Sequence, residues 1–218
     1  MNPLLPITGS LRPLALTLTL LLATAALPIP DPSGNGFSGD VVPSKSTSHY
    51  SNLHKAENLA ELLRRKADDL KKQMCKNQNM CDNSNEVLAE NHLNLPNITE
   101  EDGCFQNGFN EETCLIKIVS GLQDFDTYLQ YIETKDNTFQ PLKLTTEQLV
   151  LTLKPLIKMA DAVPTPNPTA SKELLFKLKS LKGWMKDVSL HLILRHYVQY
   201  MERTIRAVRY LNPRSLHA

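Results

Sequence analysis

From Leu53 onward the apolar positions recur at steps of three and four. Leu53, Ala56, Leu59, Leu63, Ala67, Leu70 and Met74 lie on one stripe of a first helix. A second stripe runs through Leu115, Ile118, Val119, Leu122, Phe125, Leu129 and Ile132. It begins after Asn110, and Glu111 and Glu112 in its first turn complement the helix dipole. The third helix is expected to start at Thr145, whose hydroxyl stands at capping-box spacing from Gln148. It should continue through Leu149, Leu153, Leu156, Ala160 and Val163, with a kink at Pro155. Pro164, Pro166 and Pro168 stop it, and Ser171 to Lys182 reads as a short amphipathic helix that ends or bends at Gly183. The last helix is the longest: Trp184, Val188, Leu192, Val198, Met201, Ile205, Val208 and Leu211 keep helical spacing as far as Asn212-Pro213. No stretch alternates in the manner of a strand.

Four main helices, each apolar along one side, most simply bury those sides together. About 33 residues lie between the first and second, about 20 between the third and the last, and about nine between the second and third. Short links join antiparallel neighbours, whereas long ones can run the length of a bundle and start the next helix parallel. The expectation is an all-α, up-up-down-down four-helix bundle, with long first-to-second and third-to-fourth crossovers and a short extra helix. Residues 82–136 hold 12 acids and two bases while residues 171–214 hold 10 bases and three acids, so facing surfaces would be complementary.

Leu14 to Leu22 reads LALTLTLLL, with Arg12 before it and Ala23-Thr24-Ala25-Ala26 after it, the layout of a signal peptide cleaved near Ala25 or Ala26. Its apolar stretch of about 13 residues is shorter than the ~20 of a spanning helix, so secretion is expected and membrane insertion is not. Residues 27–47, with Pro28, Pro30, Pro32, Pro43 and three glycines, offer few large apolar groups to repay ordering. The expected division is a signal peptide at 1–26, a flexible segment at 27–47, a helical domain at 48–212 and a tail at 213–218. Lys+Arg 24 against Asp+Glu 23 leaves a net charge of +1, which argues against a nucleic-acid partner.

Export bears on the four cysteines, because an oxidising compartment favours paired thiols. Cys75 and Cys81 enclose five residues and Cys104 and Cys114 enclose nine, so of three possible connectivities local pairing closes the shortest loops. Each bridge would contribute ~2–3 kcal/mol in the loop-entropy model. A zinc site of four thiolates lacks paired C-x2-C spacing, and neither metal nor cofactor is expected. Within the second loop Phe105 and Phe109, beside Gly103 and Gly108, either pack onto the bundle or form a recognition hot spot. Arg203, Arg206 and Arg209 either serve the carboxyl end of the last helix or form a patch for a protein partner. Trp184, the only tryptophan, is a core anchor or a partner contact. Asn97-Ile98-Thr99 is the sole glycosylation sequon, since proline bars Asn167-Pro168-Thr169. His49 and His54, like His191 and His196, diverge on a helix, and HExxH, GxSxG, P-loop and GxGxxG motifs are absent, so no enzyme is expected.

Cys104, nine residues, Cys114, six residues, then Gly121-Leu122, Phe125 and Leu129 resembles the signature of the family that includes interleukin-6 and granulocyte colony-stimulating factor. LAENHLNLP at Leu88 to Pro96, DGCFQNGFNEETCL at Asp102 to Leu115 and HLILR at His191 to Arg195 are similar to its interleukin-6 branch, with a weaker match in TPNPT at Thr165 to Thr169. The resemblance covers most of residues 50–211. It implies a secreted long-chain cytokine that binds a specific interleukin-6 alpha receptor. A shared signal-transducing receptor chain is then recruited to start JAK/STAT-type signalling in immune, acute-phase and B-cell responses. On the same resemblance Phe105, Phe109, Arg206 and Arg209 match the alpha-receptor surface, and Leu88 and Trp184 match a contact with the transducing chain. The remaining transducer surface, on the outer faces of the first and third helices, stays unassigned because Leu62 and Gln148 stand where the family's sequence differs. The short second-to-third link, Pro155 and the extension from Asn212 to Ala218 also depart from the family. From pattern alone, the alternative is a secreted lipid-binding protein with broad exposed apolar helix faces.

Overall fold

The computed structural model describes residues 45–78, 93–133 and 139–212. The chain divides into Met1–Asp40 and Val41–Ala218. The expected signal peptide, most of the expected flexible segment, Cys81, Leu88 and the expected tail at 213–218 lie outside the described residues. Those residues form α1 (Lys45–Gln78), α2 (Glu111–Glu133), α3 (Gln140–Leu153), α4 (Pro168–Ser180) and α5 (Gly183–Leu211). Short 3-10 turns stand at Glu100–Asp102, Lys154–Leu156 and Ala160–Ala162, and no strand occurs among the described residues.

Polar contacts between helices fix their directions. Arg209, near the end of α5, meets Glu57 and Glu61, in the first half of α1, at 2.7 and 2.6 Å. The Tyr200 hydroxyl of α5 donates to the Lys117 and Ile118 carbonyls early in α2, at 2.9 and 3.1 Å. Lys143, near the start of α3, bridges Asp126 in the second half of α2 at 3.3 Å. Glu112, at the start of α2, accepts from the Lys158 and Met159 N–H groups just beyond α3, at 3.1 and 2.7 Å. The Lys66–Leu70 stretch of α1 lies beside Pro141 and Leu142 at the start of α3. Thus α1 and α2 run one way and α3 and α5 the other, the up-up-down-down arrangement.

The stripes read from the sequence form the core. Leu53, Ala56, Leu63 and Ala67 of α1, Leu115 through Ile132 of α2, and Val188, Leu192, Val198, Met201, Ile205 and Val208 of α5 are buried. Ala60 takes a central place on α1, while Leu59 is only half-buried. Phe125 sits edge-on to Tyr128, Tyr197 and Tyr200, with centroids 6.1, 5.1 and 5.3 Å away. A buried phenol needs a partner, and each of these has one. Tyr197 pairs with the Thr146 hydroxyl at 2.6 Å, and Tyr128 donates to the Asn94 carbonyl at 2.9 Å. Burial pushes all three phenols up, Tyr128 to about 12. Gly121 admits Tyr200 because a Cβ there would lie 2.1 Å from its hydroxyl.

Several boundaries differ from expectation. The α1 helix begins at Lys45, within the span assigned to the flexible segment. The third helix starts at Gln140, with Pro141 in its first turn, where a missing N–H costs nothing. Thr145 therefore lies inside the helix and donates its hydroxyl back to the Pro141 carbonyl at 2.6 Å. At the far end Pro155 does not kink a continuing helix: the chain tightens into a 3-10 turn and becomes extended at Ile157, so Val163 is not helical. Pro168 does not end a helix but opens α4, with Asn167 as its cap accepting from the Thr169 and Ala170 N–H groups. Gly183, at φ +52°, allows the turn from α4 into α5.

The described part of the first crossover is tied down by side chains. Leu93 and Ile98 are buried, and Arg203 of α5 donates to the Asn97 side-chain oxygen and, at 2.5 Å, to the Ile98 carbonyl. Thr99 caps the following 3-10 turn reciprocally with Asp102, whose carboxylate accepts from the Thr99 N–H at 2.6 Å and hydroxyl at 2.9 Å. Lys117 of α2 reaches the same carboxylate at 3.2 Å. Cys104 and Cys114 are bridged, as local pairing anticipated. Cys75 is also disulfide-bonded.

Two stability predictions follow from these contacts. Gly121→Ala should destabilise the bundle by ~1–3 kcal/mol, because the added carbon overpacks against the buried Tyr200 ring; urea unfolding followed by circular dichroism reads this. Burial alone would raise the Asp102 carboxyl, but the hydrogen bonds from Thr99 and the Lys117 contact outweigh it and hold the pKa below the ordinary 3.8. A depressed folded-state value means the contribution is complete above the unfolded pKa and is lost as pH falls through the folded one. Asp102→Asn should therefore flatten the fall in stability below about pH 4, measured by denaturant titration at stepped pH.

Candidate functional site

The end of α5 and the second cysteine loop come together at one end of the bundle. The Asn110 side chain caps α2 by accepting from the Thr113 N–H at 3.1 Å, and the Asn110 N–H donates to the Gly103 carbonyl at 2.8 Å. Gly103 has φ +69°, and a Cβ there would meet the Thr113 hydroxyl at 2.6 Å. With the disulfide, these contacts close residues 103–110 into a fixed loop. Phe105 and Phe109 are half-buried on it, packed against the core edge with the rest of each ring open. Phe109 lies 5.7 Å from the Tyr210 ring at 47°. Phe105, Arg206, Tyr210 and Glu100 line a hollow of about 350 Å³.

The three arginines have different environments. Arg203 donates to the Asn97 side-chain oxygen and the Ile98 carbonyl, and from there it lines the aromatic hollow beside Arg206. Arg206 is exposed, with no ion-pair partner among the described residues, and it borders both the aromatic hollow and a second one that reaches Glu61, Arg64 and Arg209. Arg209 is exposed but held by Glu57 and Glu61, whose hydrogen bonds and charges raise its pKa further. The structure thus gathers Phe105, Phe109, Arg206 and Arg209 around the end of α5. Sequence reasoning missed Tyr210 and the two glutamates. The available signals were the four-residue step from Arg206 to Tyr210 and the same step from Glu57 to Glu61, both neighbours on a helix surface.

The other candidates lie elsewhere. Trp184 stands at the opposite end of α5, 42% exposed, which removes it from the core. Asn97 is exposed, and its partner in the sequon, Thr99, is committed to Asp102. On α3, Leu144 and Leu151 are 56% and 70% exposed at a seven-residue spacing, with exposed Gln148 between them on the same face. Leu62 is half-buried. Among the described residues no group of His, Cys, Asp and Glu could hold a metal ion, and no helix is long and apolar enough to cross a membrane. Half-buried aromatic rings beside an unpaired guanidinium make apolar area and charged donors available together, the composition of a protein-binding hot spot.

Known proteins are similar to this chain in sequence and in fold. The chain is 44% identical over 178 residues to interleukin-6 of Gallus gallus, spanning 80% of this chain and 74% of that one. It is 40% identical over 175 residues to interleukin-6 of Sus scrofa, spanning 78% and 82% respectively. A solved cytokine/receptor complex contains a chain that superposes with a TM-score of 0.64 at 22% identity, covering 72% of this chain and 96% of that chain, a likeness of fold. The sequence profile of the Interleukin-6/G-CSF/MGF family matches residues 28–211, and the chain accordingly belongs to that family, as a cytokine and not an enzyme.

Proposed function

We propose that this protein is a secreted cytokine that binds a specific alpha receptor through Phe105, Phe109, Arg206 and Arg209, then recruits a shared signal-transducing chain. The transducing chain's kinases would start JAK/STAT-type signalling in immune, acute-phase and B-cell responses. The observation that carries this reading is the presence of separate open patches on one rigid scaffold. Arg206 and the exposed Trp184 stand on a single helix, roughly 33 Å apart at about 1.5 Å per residue. One partner at the aromatic–arginine end leaves the Trp184 end free for another. Leu88 belongs with Trp184 on this reading, and the Leu144 and Leu151 face of α3 supplies a further apolar surface for the transducing chain. Export through residues 1–26, a Cys75–Cys81 bridge and a glycan on the exposed Asn97 complete the proposal. A lipid carrier would need the apolar stripes free, whereas here they are spent on one another.

Arg206→Glu and Arg209→Glu should each weaken alpha-receptor binding by ~2 kcal/mol or more, read by surface plasmon resonance on variants with unchanged circular dichroism. A folded Arg206→Glu protein that binds as the wild type does would remove the site. Cells bearing the transducing chain, given soluble alpha receptor, should respond to the protein by phosphorylating the downstream transcription factor. In that assay Trp184→Ala should signal weakly while keeping alpha-receptor affinity; loss of both would assign the tryptophan a structural role.

A further inference from the structure

The α4 helix lies in the crossover between α3 and α5 and serves the bundle with one side only. Leu178 is buried, and Leu174, Leu175 and Leu181 are half-buried against the core. At about 100° per residue, Phe176 stands nearly opposite Leu178, with Lys172 and Lys179 beside it on the same outer face. Phe176 is 76% exposed, the most open large apolar side chain among the described residues. An aromatic ring in water at the centre of a helix face brings no stability to the bundle.

The charges around it are unbalanced. Between residues 172 and 186 the chain carries Lys172, Lys177, Lys179, Lys182 and Lys186 against the single acid Glu173. Four lysines elsewhere find carboxylates within the fold: Lys71 and Lys72 at Asp68, Lys117 at Asp102, Lys143 at Asp126 and Glu147. Here Lys186 approaches Asp187 at 4.0 Å, and the first four have no ion-pair partner among the described residues. The same run leads through Gly183 to Trp184, which is also open.

We propose that the outer face of α4, with Phe176 between Lys172 and Lys179 and continued by Lys182 and Trp184, is a docking surface for a protein partner whose facing side sets carboxylates around an apolar hollow. Resting on the assignment of Trp184 to the transducing chain, this deepens it: the partner is that chain, and its contact extends from the start of α5 onto α4. A central ring with a rim of unmatched ammonium groups suits an acidic protein surface. An anionic bilayer fits less well, because the leucines that would have to enter it are already packed on the bundle.

The test uses the full mature protein in complex with soluble alpha receptor, titrated with the purified extracellular part of the transducing chain. Phe176→Ala and the pair Lys172→Glu with Lys179→Glu, all on the exposed face, should each lower transducer affinity by about tenfold, and the charge reversal should also flatten its dependence on salt. Alpha-receptor affinity and thermal unfolding should not move. Transducer binding within about twofold of wild type in both folded variants, with Trp184→Ala still weakened, would overturn the α4 surface and leave the assignment of Trp184 standing. Unchanged binding in all three would overturn both. Vesicles of phosphatidylcholine and phosphatidylserine provide the remaining arm: flotation of the wild-type protein with them, lost in the charge reversal while transducer binding is kept, would mean a membrane in place of the protein partner.

Discussion

Tyr200 against Gly121 sets the register on which the aromatic–arginine end of the bundle depends. The Tyr200 hydroxyl reaches the Lys117 and Ile118 carbonyls only because position 121 has no side chain to hold the ring away. Once that contact is made, α2 and α5 have one alignment. The start of α2, with Cys114 and Asn110, falls beside the last turns of α5, with Arg206 and Tyr210. A one-turn slip of about 5.4 Å would leave a buried phenol without an acceptor and move the aromatic loop away from the arginines. The edge-on packing of Phe125 with Tyr197 and Tyr200 fills the same interface, so its apolar and polar requirements are met by one alignment.

The parts legible in the sequence were those governed by local periodicity. The stripes of α2 and α5, the direction implied by connection lengths, and the Cys104–Cys114 loop follow from spacing alone. The capping-box spacing of Thr145 and Gln148 points to a helix start that the fold does not use, because proline in the first turn outweighs it: Pro141 fits a helix start, and a threonine inside a helix satisfies its hydroxyl on the carbonyl one turn back. Pro168 reads as a stop because proline breaks a helix interior, yet after a capping Asn167 it takes the first helical position and begins a helix. In the candidate site the four residues singled out do converge. Their partners did not show, because Glu57 lies 152 positions from Arg209 and only the topology brings the two together.

Arg203, Arg206 and Arg209 show why a regular spacing does not make a uniform patch. Three residues advance a helix by about 300°, so each arginine is turned roughly 60° from the one before. Across two such steps the side chains fan from the crossover, through open solvent, to α1. Arg203 is used up on the Asn97 oxygen and the Ile98 carbonyl, and Arg209 on two carboxylates. Arg206, in the middle, keeps its donors for an outside partner. Exposed ion pairs contribute little to stability. The Glu57 and Glu61 contacts are better understood as holding Arg209 in one orientation, so that less side-chain entropy is lost when a partner binds.

The bundle and its crossovers are held by different forces, and this decides where the molecule is sensitive to its surroundings. Helix packing is apolar and answers weakly to salt or acid. The described parts of the crossovers bury Leu93, Ile98, Leu156 and Ile157, and are tied down in addition by charged groups: Arg203 on the Asn97 side chain and the Ile98 carbonyl, Asp102 on Thr99, Glu112 on the Lys158 and Met159 N–H groups. Hydrogen bonds from the Met159 and Lys158 N–H groups hold the Glu112 carboxyl below its ordinary range, against some desolvation. By the same sign argument as for Asp102, protonation releases that segment only in acid, below the unfolded carboxylate range. Near neutral pH both ties are fully engaged. The loop that presents Phe105 and Phe109 and the link that leads from α3 toward α4 are therefore ordered by the same kind of contact, while the four-helix core beneath them keeps its shape independently.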